Sequence, residues 1–449
     1  MKTDPYYPRI LIVNAYFTEQ SGSGTFLGRL FSNWPVDRIA TVCEGTLIPD
    51  WNKCRLHFRT GELRLLLSNI IERFVPAMRT GPVLPSSTIS DPGAVVLSHT
   101  VFPKVPFVHR LARLPWRLLL RYFSDGETLY CVGPSQELLS WIQDFQPEVI
   151  YGHCSGLNSV LLLRRLQQEL SLPLVLHFMD DWAETCYRQG WVKQLFRARF
   201  DTEFRQLVRS ADVTVAICQE MANEYQTRYQ RSVLSLPMPV ELDAYSFTTR
   251  NEWTGGSPFR LRYGGRVGWA ISDSLVDIAE SIHYLRQNGA DVEFDLVTFQ
   301  TEEVPATCFA LPGVNVQIPG PLADLPRIQG EADVLVICYD FDIESIHQAQ
   351  YSMPSKLADC LASGTPILVY GPAGLPVVEY ARRECWGKVV DNRDKTVLLA
   401  AVCELMDSAS LREQLGRTAK GLADKWHDTK TVSEKMRRIL EEAASTKQS

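Results

Sequence analysis

The sequence contains no apolar run long enough to cross a membrane as a helix. Over its 449 residues, no window approaches the roughly 18 uninterrupted apolar residues that a membrane-spanning helix requires. The apolar run around Ile10 is short, and acidic and proline residues precede it, which is unlike a secretory leader. We therefore expect a cytoplasmic protein that could touch a membrane only from its cytoplasmic face.

The sequence also lacks paired cysteines and an excess of positive charge. Its 11 cysteines stand singly, with no C-x-x-C pair for a zinc or redox centre, so we expect reduced thiols and no bound metal. The net charge is -6 and no nucleic-acid-binding motif is present, so nucleic acid is not an expected partner. A composition of 45% hydrophobic and 22% charged residues is typical of a folded globular protein.

Short apolar runs alternate with amphipathic helical stretches along most of the chain. The first series comprises "RILIVNAYF", "AVVLSHT", "EVIYGHC", "LPLVLHFMD" and "DVTVAICQ". After an irregular stretch over 236–259, a second series comprises "FRLRYGG", "DVEFDLVTF", "VNVQIPG", "ADVLVICYD" and "TPILVYGP". This alternation predicts an α/β protein with two Rossmann-like, doubly wound parallel-sheet domains that face each other across a cleft.

The predicted domain limits follow from the irregular stretch. We expect an N-terminal Rossmann-like domain over 1–240, a linker and hinge over 241–258, a second Rossmann-like domain over 259–425 and a C-terminal helix over 426–449. Both "KTVLLAAVCELMDS" and "VSEKMRRILEEAAS" place their apolar residues on one helical face.

One segment of the first half, 101–123, is basic and contains no acid. In "VFPKVPFVHRLARLPWRLLLRYF", residues such as Arg113, Arg117 and Arg121 alternate with leucines and aromatic residues. Such a helix can lie in the headgroup layer of an anionic membrane. The alternative is a surface helix whose arginines extend into water. Because Pro115 interrupts the helical pattern, both interpretations stay open.

Polar residues follow several of the predicted strands, where parallel sheets bind their ligands. After the first strand, Gly22 and Gly24 precede a helix that we expect to open near Thr25, so a diphosphate could approach its backbone amides. A plain tight turn explains the same glycines. They lie too far beyond the strand for a G-x-G-x-x-G fingerprint, which disfavours a nicotinamide dehydrogenase.

A second cluster lies in "LHFMDDWAETCY". His177 and Asp180 are candidate catalytic residues, because either could take a proton from an attacking hydroxyl. Asp181, together with His153 after the strand "EVIYGHC", is a candidate for the acceptor side. The alternative for the carboxylates is a helix cap.

The second series offers cationic residues. In "LRYGGRVGWAISDSL", Gly265 and Arg266 follow a strand, where the guanidinium could pair with phosphate oxygens, although an ordinary surface arginine fits the pattern as well. In "QYSMPSKLADCLASGTPILVYGP", Ser352 and Met353 precede a helix that we expect to include Pro354 in its first turn.

The same stretch places Lys356 in the first helical turn, against the preference of the helix dipole. This position becomes favourable if a phosphate binds there. Asp359 lies about one turn later on the same side, where it could accept hydrogen bonds from ribose hydroxyls.

These motifs resemble the GT-B-fold retaining glycosyltransferases of family 4, especially those that build bacterial surface polysaccharides. The most specific match is "MPSKLADCLASGTPILVYGP", and "SGSGTFLGRLF", "LVLHFMDDW", "ADVTVAICQEMANEYQTRY" and "ADVLVICYD" are similar as well. The resemblance implies that Asp359 binds the nucleotide ribose and that Lys356 and Arg266 neutralise the diphosphate. It implies that Gly22 and Gly24 leave room for that diphosphate.

The resemblance further implies that His177, Asp180 and Asp181 line the acceptor side or the reacting sugar. It implies that no bound metal or permanent cofactor is needed and that the C-terminal helix crosses back onto the first domain. The family has a motif of two acids eight positions apart, and Asp359 stands at the second of them. Three departures from the family stand out: Tyr351 occupies the position of the first acid, Asp359 replaces the commoner glutamate, and the lysine that often follows the glycine-arginine turn is absent.

The sequence thus predicts a retaining glycosyltransferase that moves a sugar from a nucleotide diphosphate sugar to a hydroxyl of a glycan or lipid-linked acceptor, in polysaccharide or glycoconjugate biosynthesis. The alternatives are a nucleotide-sugar epimerase or phosphorylase of the same fold, and a scaffold of that fold without catalysis. Tyr351 is the residue that favours the scaffold.

Overall fold

The computed structural model of the chain describes residues 5–18, 22–44, 49–60, 81–83, 134–188, 191–248 and 252–446. The basic segment 101–123 lies outside these residues, so its contact with a membrane stays a prediction. Within the described ranges, no helix is long and apolar enough to cross a membrane.

Among the described residues, eight strands form the first sheet in the order β4-β3-β2-β1-β5-β6-β7-β8. Their bounds are β1 Ile10–Val13, β2 Ile39–Glu44, β3 Leu56–Thr60, β4 Gly81–Val83, β5 Val149–Gly152, β6 Leu174–Phe178, β7 Val213–Ala216 and β8 Leu234–Ser235. Neighbouring strands run parallel, except that β4 pairs antiparallel with β3 at the edge. Every residue of β1 and β5 is buried, which is typical of strands covered by helices on both faces.

Six strands form the second sheet, which is wholly parallel, in the order β11-β10-β9-β12-β13-β14. Their bounds are β9 Phe259–Gly264, β10 Val292–Val297, β11 Val314–Gln317, β12 Val334–Cys338, β13 Ile367–Tyr370 and β14 Lys388–Val390. The predicted fold class of two parallel α/β units is therefore confirmed.

Helices alternate with these strands. In the first half they are α1 Gly22–Leu30, α2 Gln136–Phe145, α3 Leu157–Leu170, α4 Trp182–Thr185, α5 Trp191–Ser210 and α6 Gln219–Tyr229. In the second half they are α7 Ser272–Gln287, α8 Ala306–Ala310, α9 Leu325–Gly330, α10 Ile343–Ala349, α11 Leu357–Ser363, α12 Pro376–Glu384, α13 Lys395–Asp407, α14 Ala409–Leu422 and α15 Thr429–Thr446.

Two of these helices begin elsewhere than the sequence predicts. Helix α1 begins at Gly22, so the two glycines lie in its first turn and not in a preceding loop. Gly24 is required there because a Cβ would stand 2.3 Å from the carbonyl oxygen of Thr18. Helix α11 begins at Leu357, so Pro354 belongs to the turn before it, where its carbonyl accepts from the Leu357 amide.

The chain crosses between the two halves twice. A 3₁₀ helix over Leu242–Thr248 leads out of the first half and buries Tyr245 between the two. The chain returns to the first half near His427, whose carbonyl accepts a hydrogen bond of 2.7 Å from the Val240 amide, and then continues into α15. Helix α15 lies against α1, β5 and β6 of the first sheet. The predicted domain limits stay a prediction.

Candidate active site

The second sheet reverses its strand order between β9 and β12, and a cavity of about 430 Å³ opens beyond the carboxyl ends of these strands. We call it the lysine cavity. Its walls come from both halves of the chain: Gly22, Ser23, Met179, Asp180 and Met238 from the first, and Tyr263, Gly265, Arg266, Ala270, Ile271, Cys338, Tyr339, Gln348, Ala349, Ser352, Met353, Pro354, Ser355 and Lys356 from the second.

Lys356 places a buried ammonium group in this cavity. Within the described part of the chain, its Nζ has no hydrogen-bond partner. It lies 3.6 Å from the centre of the Tyr263 ring, a cation–π contact that replaces only part of its lost hydration. Burial lowers the pKa of Lys356 to about 8, so the group is still mainly protonated at neutral pH. An unpaired buried cation is costly unless an anion joins it.

Arg266 is the second cation of the lysine cavity. It is exposed and follows β9 directly, after Gly265, whose φ of +146° favours glycine. The Arg266 carbonyl accepts a hydrogen bond from the Tyr263 hydroxyl, which fixes the turn. Because Tyr263 also contacts Lys356, one aromatic ring positions both cations.

Asp180 faces these cations from the first half. Its Oδ1 accepts a hydrogen bond of 2.9 Å from the Ser352 hydroxyl, across the cleft. The side chain is open to the cavity, yet burial by the surrounding walls raises the pKa of Asp180, and the Ser352 bond and the charge of Arg266 counteract this only in part. A carboxyl group in this state can accept a proton or orient a hydroxyl.

Asp359 does not face the lysine cavity, which corrects its predicted place beside Lys356. Its two carboxylate oxygens accept from the two terminal nitrogens of Arg29, each at 2.8 Å, and Oδ1 also accepts from the Tyr245 hydroxyl at 2.9 Å. Helix α1, the 3₁₀ helix Leu242–Thr248 and helix α11 thus meet at one carboxylate, and we call this contact the Asp359 clamp. It borders a separate cavity of about 410 Å³.

The two histidines do not line the lysine cavity, and their roles stay predictions. His177 is buried, and its Nδ1 lies 2.7 Å from the Tyr151 hydroxyl, which lies 3.1 Å from Nε2 of His153. Burial lowers the pKa of His153 to about 4 and takes the pKa of His177 well below its usual value. Both rings are therefore neutral at physiological pH, and neither lines the cavity in which the other candidates meet.

Asp181 also lies outside the lysine cavity, and its predicted acceptor-side role stays a prediction. Its carboxylate is buried and accepts from Arg228 at 3.0 and 3.2 Å and from the Tyr225 hydroxyl at 2.8 Å. The adjacent Asp180 and Asp181 therefore differ in their contacts: Asp180 faces the cavity, and Asp181 attaches α6 to the loop after β6.

Tyr351 points away from the lysine cavity. The Arg228 guanidinium lies 5.6 Å from its ring centre, and its carbonyl accepts from the Cys218 thiol at 3.7 Å. The residue at the position of the missing acid therefore helps to join the two halves of the chain.

The glycines divide between the two cavities. Gly22 lines the lysine cavity, where a Cβ would come within 3.0 Å of the Ser355 hydroxyl, and Gly24 lines the cavity beside the Asp359 clamp. Ser352, Met353, Gly265, Arg266 and Lys356 all line the lysine cavity. No group of metal-ligating side chains occurs among the described residues.

Three further residues shape the site and were not predicted from the sequence: Arg29, Tyr245 and Tyr263. Tyr263 stands in the run "FRLRYGG" directly before the predicted phosphate turn, so its place was readable. Arg29 stands among the apolar residues of α1, where an arginine either extends into solvent or pairs with a buried acid.

Known proteins share this architecture. Residues 85–233 match the model of the glycosyl transferase 4-like domain. No curated protein sequence matches the chain. HepE from Anabaena, solved with UDP and glucose, is 13% identical with a TM-score of 0.58, and the match covers 97% of this chain and 100% of HepE.

Two other solved structures are similar over nearly their whole length. WaaG, a glycosyltransferase involved in lipopolysaccharide biosynthesis, is 12% identical with a TM-score of 0.58, covering 96% of this chain and 99% of WaaG. Sucrose-phosphate synthase from Thermosynechococcus elongatus is 12% identical with a TM-score of 0.54, and the match covers 97% of this chain and 99% of the synthase. Residues 85–233 thus match a glycosyl transferase 4-like domain, and the whole chain shares the GT-B fold of these three solved proteins.

Proposed function

We propose that the enzyme transfers a sugar from a nucleotide diphosphate sugar to a hydroxyl of a glycan or lipid-linked acceptor, with retention of the anomeric configuration, in polysaccharide or glycoconjugate biosynthesis. The observation that carries the donor assignment is the buried, unpaired ammonium of Lys356 beside Arg266 in the lysine cavity. Retention and the acceptor class rest on the family resemblance.

The diphosphate would lie between Lys356 and Arg266. Breaking the bond between the sugar and the phosphate leaves negative charge on the departing oxygen. The buried ammonium of Lys356 acts on this charge with little screening, and the exposed Arg266 adds a second positive charge at the same cavity. The pyrophosphate would also supply the negative partner that Lys356 lacks. Charge neutralisation by these two side chains is thus their expected contribution to catalysis.

The donor sugar and the attacking hydroxyl would lie towards Asp180 and Ser352. Asp180 is the one carboxylate among the described residues that line the lysine cavity. Its raised pKa and its position across the cleft suit it to orient a sugar hydroxyl or to receive its proton. The bond from Ser352 crosses the cleft and favours a closed arrangement that excludes water.

Asp359 could still take part in donor binding. Its two oxygens provide about four acceptor positions, and Arg29 and Tyr245 fill three of them, leaving one on Oδ2. We propose that one ribose hydroxyl donates to this position, with the nucleoside in the cavity bordered by Asp359.

The experiment is a thermal-shift screen of nucleotide diphosphate sugars, beginning with UDP-glucose because UDP occupies HepE. Stabilisation of the wild type by a donor should be lost in Lys356→Ala and Arg266→Ala and preserved in Arg417→Ala, an exposed arginine paired with Glu413. If no nucleotide stabilises the wild type, the donor assignment fails.

Product analysis then tests the reaction itself. Transfer should require an added acceptor alcohol, and NMR of the anomeric proton should show the configuration of the donor. An epimerised donor formed without any acceptor would instead establish the epimerase alternative.

A further inference from the structure

A third cavity, of about 400 Å³, lies between α5 and α6 of the first half of the chain. We call it the arginine cavity. It is lined by Arg205, Arg209, Arg228, Tyr229, Gln230 and Arg231. Four of these six residues are arginines, although the net charge of the whole chain is -6. Positive charge is thus concentrated at this place, away from the cations of the lysine cavity.

Most of this charge is not balanced by the protein. Arg228 pairs with Asp181 and Glu224. Within the described part of the chain, Arg205, Arg209 and Arg231 have no carboxylate within the 4.0 Å of an ion pair. Arg205 instead lies 5.7 Å over the Tyr229 ring, and Arg231 donates to the Arg209 carbonyl. Aromatic and carbonyl contacts fix the direction of a guanidinium without neutralising it.

Guanidinium groups that share a cavity repel one another, and the protein walls strengthen this repulsion relative to open water. An anion inside the cavity would reverse the sign of this energy. The planar fork of arginine matches the oxygens of a phosphate, and three such groups could engage the several oxygens of one phosphate. A volume of about 400 Å³ admits a phosphate with part of the group attached to it.

We propose that the arginine cavity binds a phosphate group of an anionic ligand, through Arg205, Arg209 and Arg231. A soluble phosphorylated compound and a phospholipid headgroup would present the same chemistry. Arg228 connects this site to the cleft, because it also holds Asp181, the neighbour of Asp180, and lies against Tyr351. The bound phosphate would therefore lie on the same domain as the acceptor-facing side of the cleft.

The test is calorimetric titration with inorganic pyrophosphate at low salt. It uses the full-length chain carrying Lys356→Ala, so that binding in the lysine cavity does not contribute and the outcome is independent of the donor assignment. We expect binding that weakens with salt and that becomes at least about tenfold weaker when Arg205, Arg209 and Arg231 are replaced together by glutamine.

Two comparison variants make the result specific. A matched triple of exposed arginines, Arg327→Gln, Arg382→Gln and Arg417→Gln, removes the same charge elsewhere and should change the affinity by no more than about twofold. Replacing the three cavity arginines by lysine keeps the charge and removes the fork geometry, so it should give an intermediate affinity.

Sedimentation with vesicles distinguishes the two sources of phosphate. A lipid headgroup is assigned if the protein binds phosphatidylglycerol vesicles but not phosphatidylcholine vesicles, and if this binding is lost when the three cavity arginines are replaced by glutamine. Pyrophosphate binding without vesicle binding would assign a soluble ligand. The proposal is overturned if pyrophosphate and vesicles both fail to bind, or if the matched triple weakens binding as much as the cavity triple does.

Discussion

Replacing Lys356 by methionine should make the unliganded enzyme more stable. The ammonium is buried without a hydrogen-bond partner among the described residues, and burial lowers its pKa from 10.5 to about 8. Because one pH unit in a pKa corresponds to about 1.4 kcal/mol, keeping this group protonated in the folded state at pH 7 costs as much as about 3 kcal/mol. Methionine has a similar shape, carries no charge and keeps the contact with Tyr263.

The pH dependence gives this prediction a second, independent check. The folded pKa lies below the unfolded one, so between pH 8 and 10.5 the unfolded wild type binds more protons and wild-type stability rises with pH. The advantage of the methionine variant should therefore be largest below pH 8 and should disappear towards pH 10.

Urea unfolding at pH 7 and pH 9.5, with and without a nucleotide that binds, measures both effects. The variant should unfold at higher urea without nucleotide and gain nothing when nucleotide is added. Lys430→Met, at an exposed lysine paired with Asp243, serves as the control. The reasoning is refuted if Lys356→Met is less stable than wild type at pH 7, or if the difference is the same at both pH values.

Three further predictions concern neighbouring contacts. Nucleotide diphosphate affinity should fall by up to about tenfold for each pH unit above 8, because Lys356 then loses its proton in the free enzyme, and calorimetry that shows a flat profile to pH 9.5 would contradict this. Arg29→Ala should destabilise the protein by about 3 kcal/mol in urea unfolding, because the clamp carboxylate of Asp359 stays buried without its cation, while Arg29→Lys should restore part of the loss. An unchanged stability of Arg29→Ala would show that the clamp opens in solution. Tyr351→Glu should leave donor affinity within about twofold, because this side chain lies against Arg228 and outside the lysine cavity. A clear gain in affinity would mean that the glutamate turns into the cavity.

The predicted strands that fall among the described residues were readable because continuous apolar runs are typical of buried parallel strands. Among the strands that the sequence pattern missed are β2 and β3, whose buried residues are partly polar. In β2 and β3, Thr41 and His57 are buried together, and the hydroxyl of one lies 2.6 Å from a ring nitrogen of the other. Because the two side chains hydrogen-bond to each other across the strands, both can be buried although they are polar. Neither strand therefore forms a continuous apolar run in the sequence.

The site was predictable where local sequence determines position and not where distant residues compete. Arg266 and Lys356 follow a strand and precede a helix, and both line the lysine cavity. Asp359 failed as a neighbour of Lys356 because a residue 330 positions away, Arg29, binds its carboxylate. The same holds for Asp181, whose partner Arg228 comes from another helix. No periodicity or spacing rule reports a partner at that distance.

The return of α15 to the first sheet bears on how the polypeptide matures during translation. Val432, Met436 and Leu440 on this helix are buried, and the helix contacts α1, β5 and β6. The segment that completes the first folding unit is therefore synthesised only after the whole second sheet. Until then, an apolar groove on a nascent domain stays uncovered while more than 200 further residues are added. A fragment cut at the linker would inherit that groove permanently, so we expect it to aggregate unless α15 is supplied as a separate peptide.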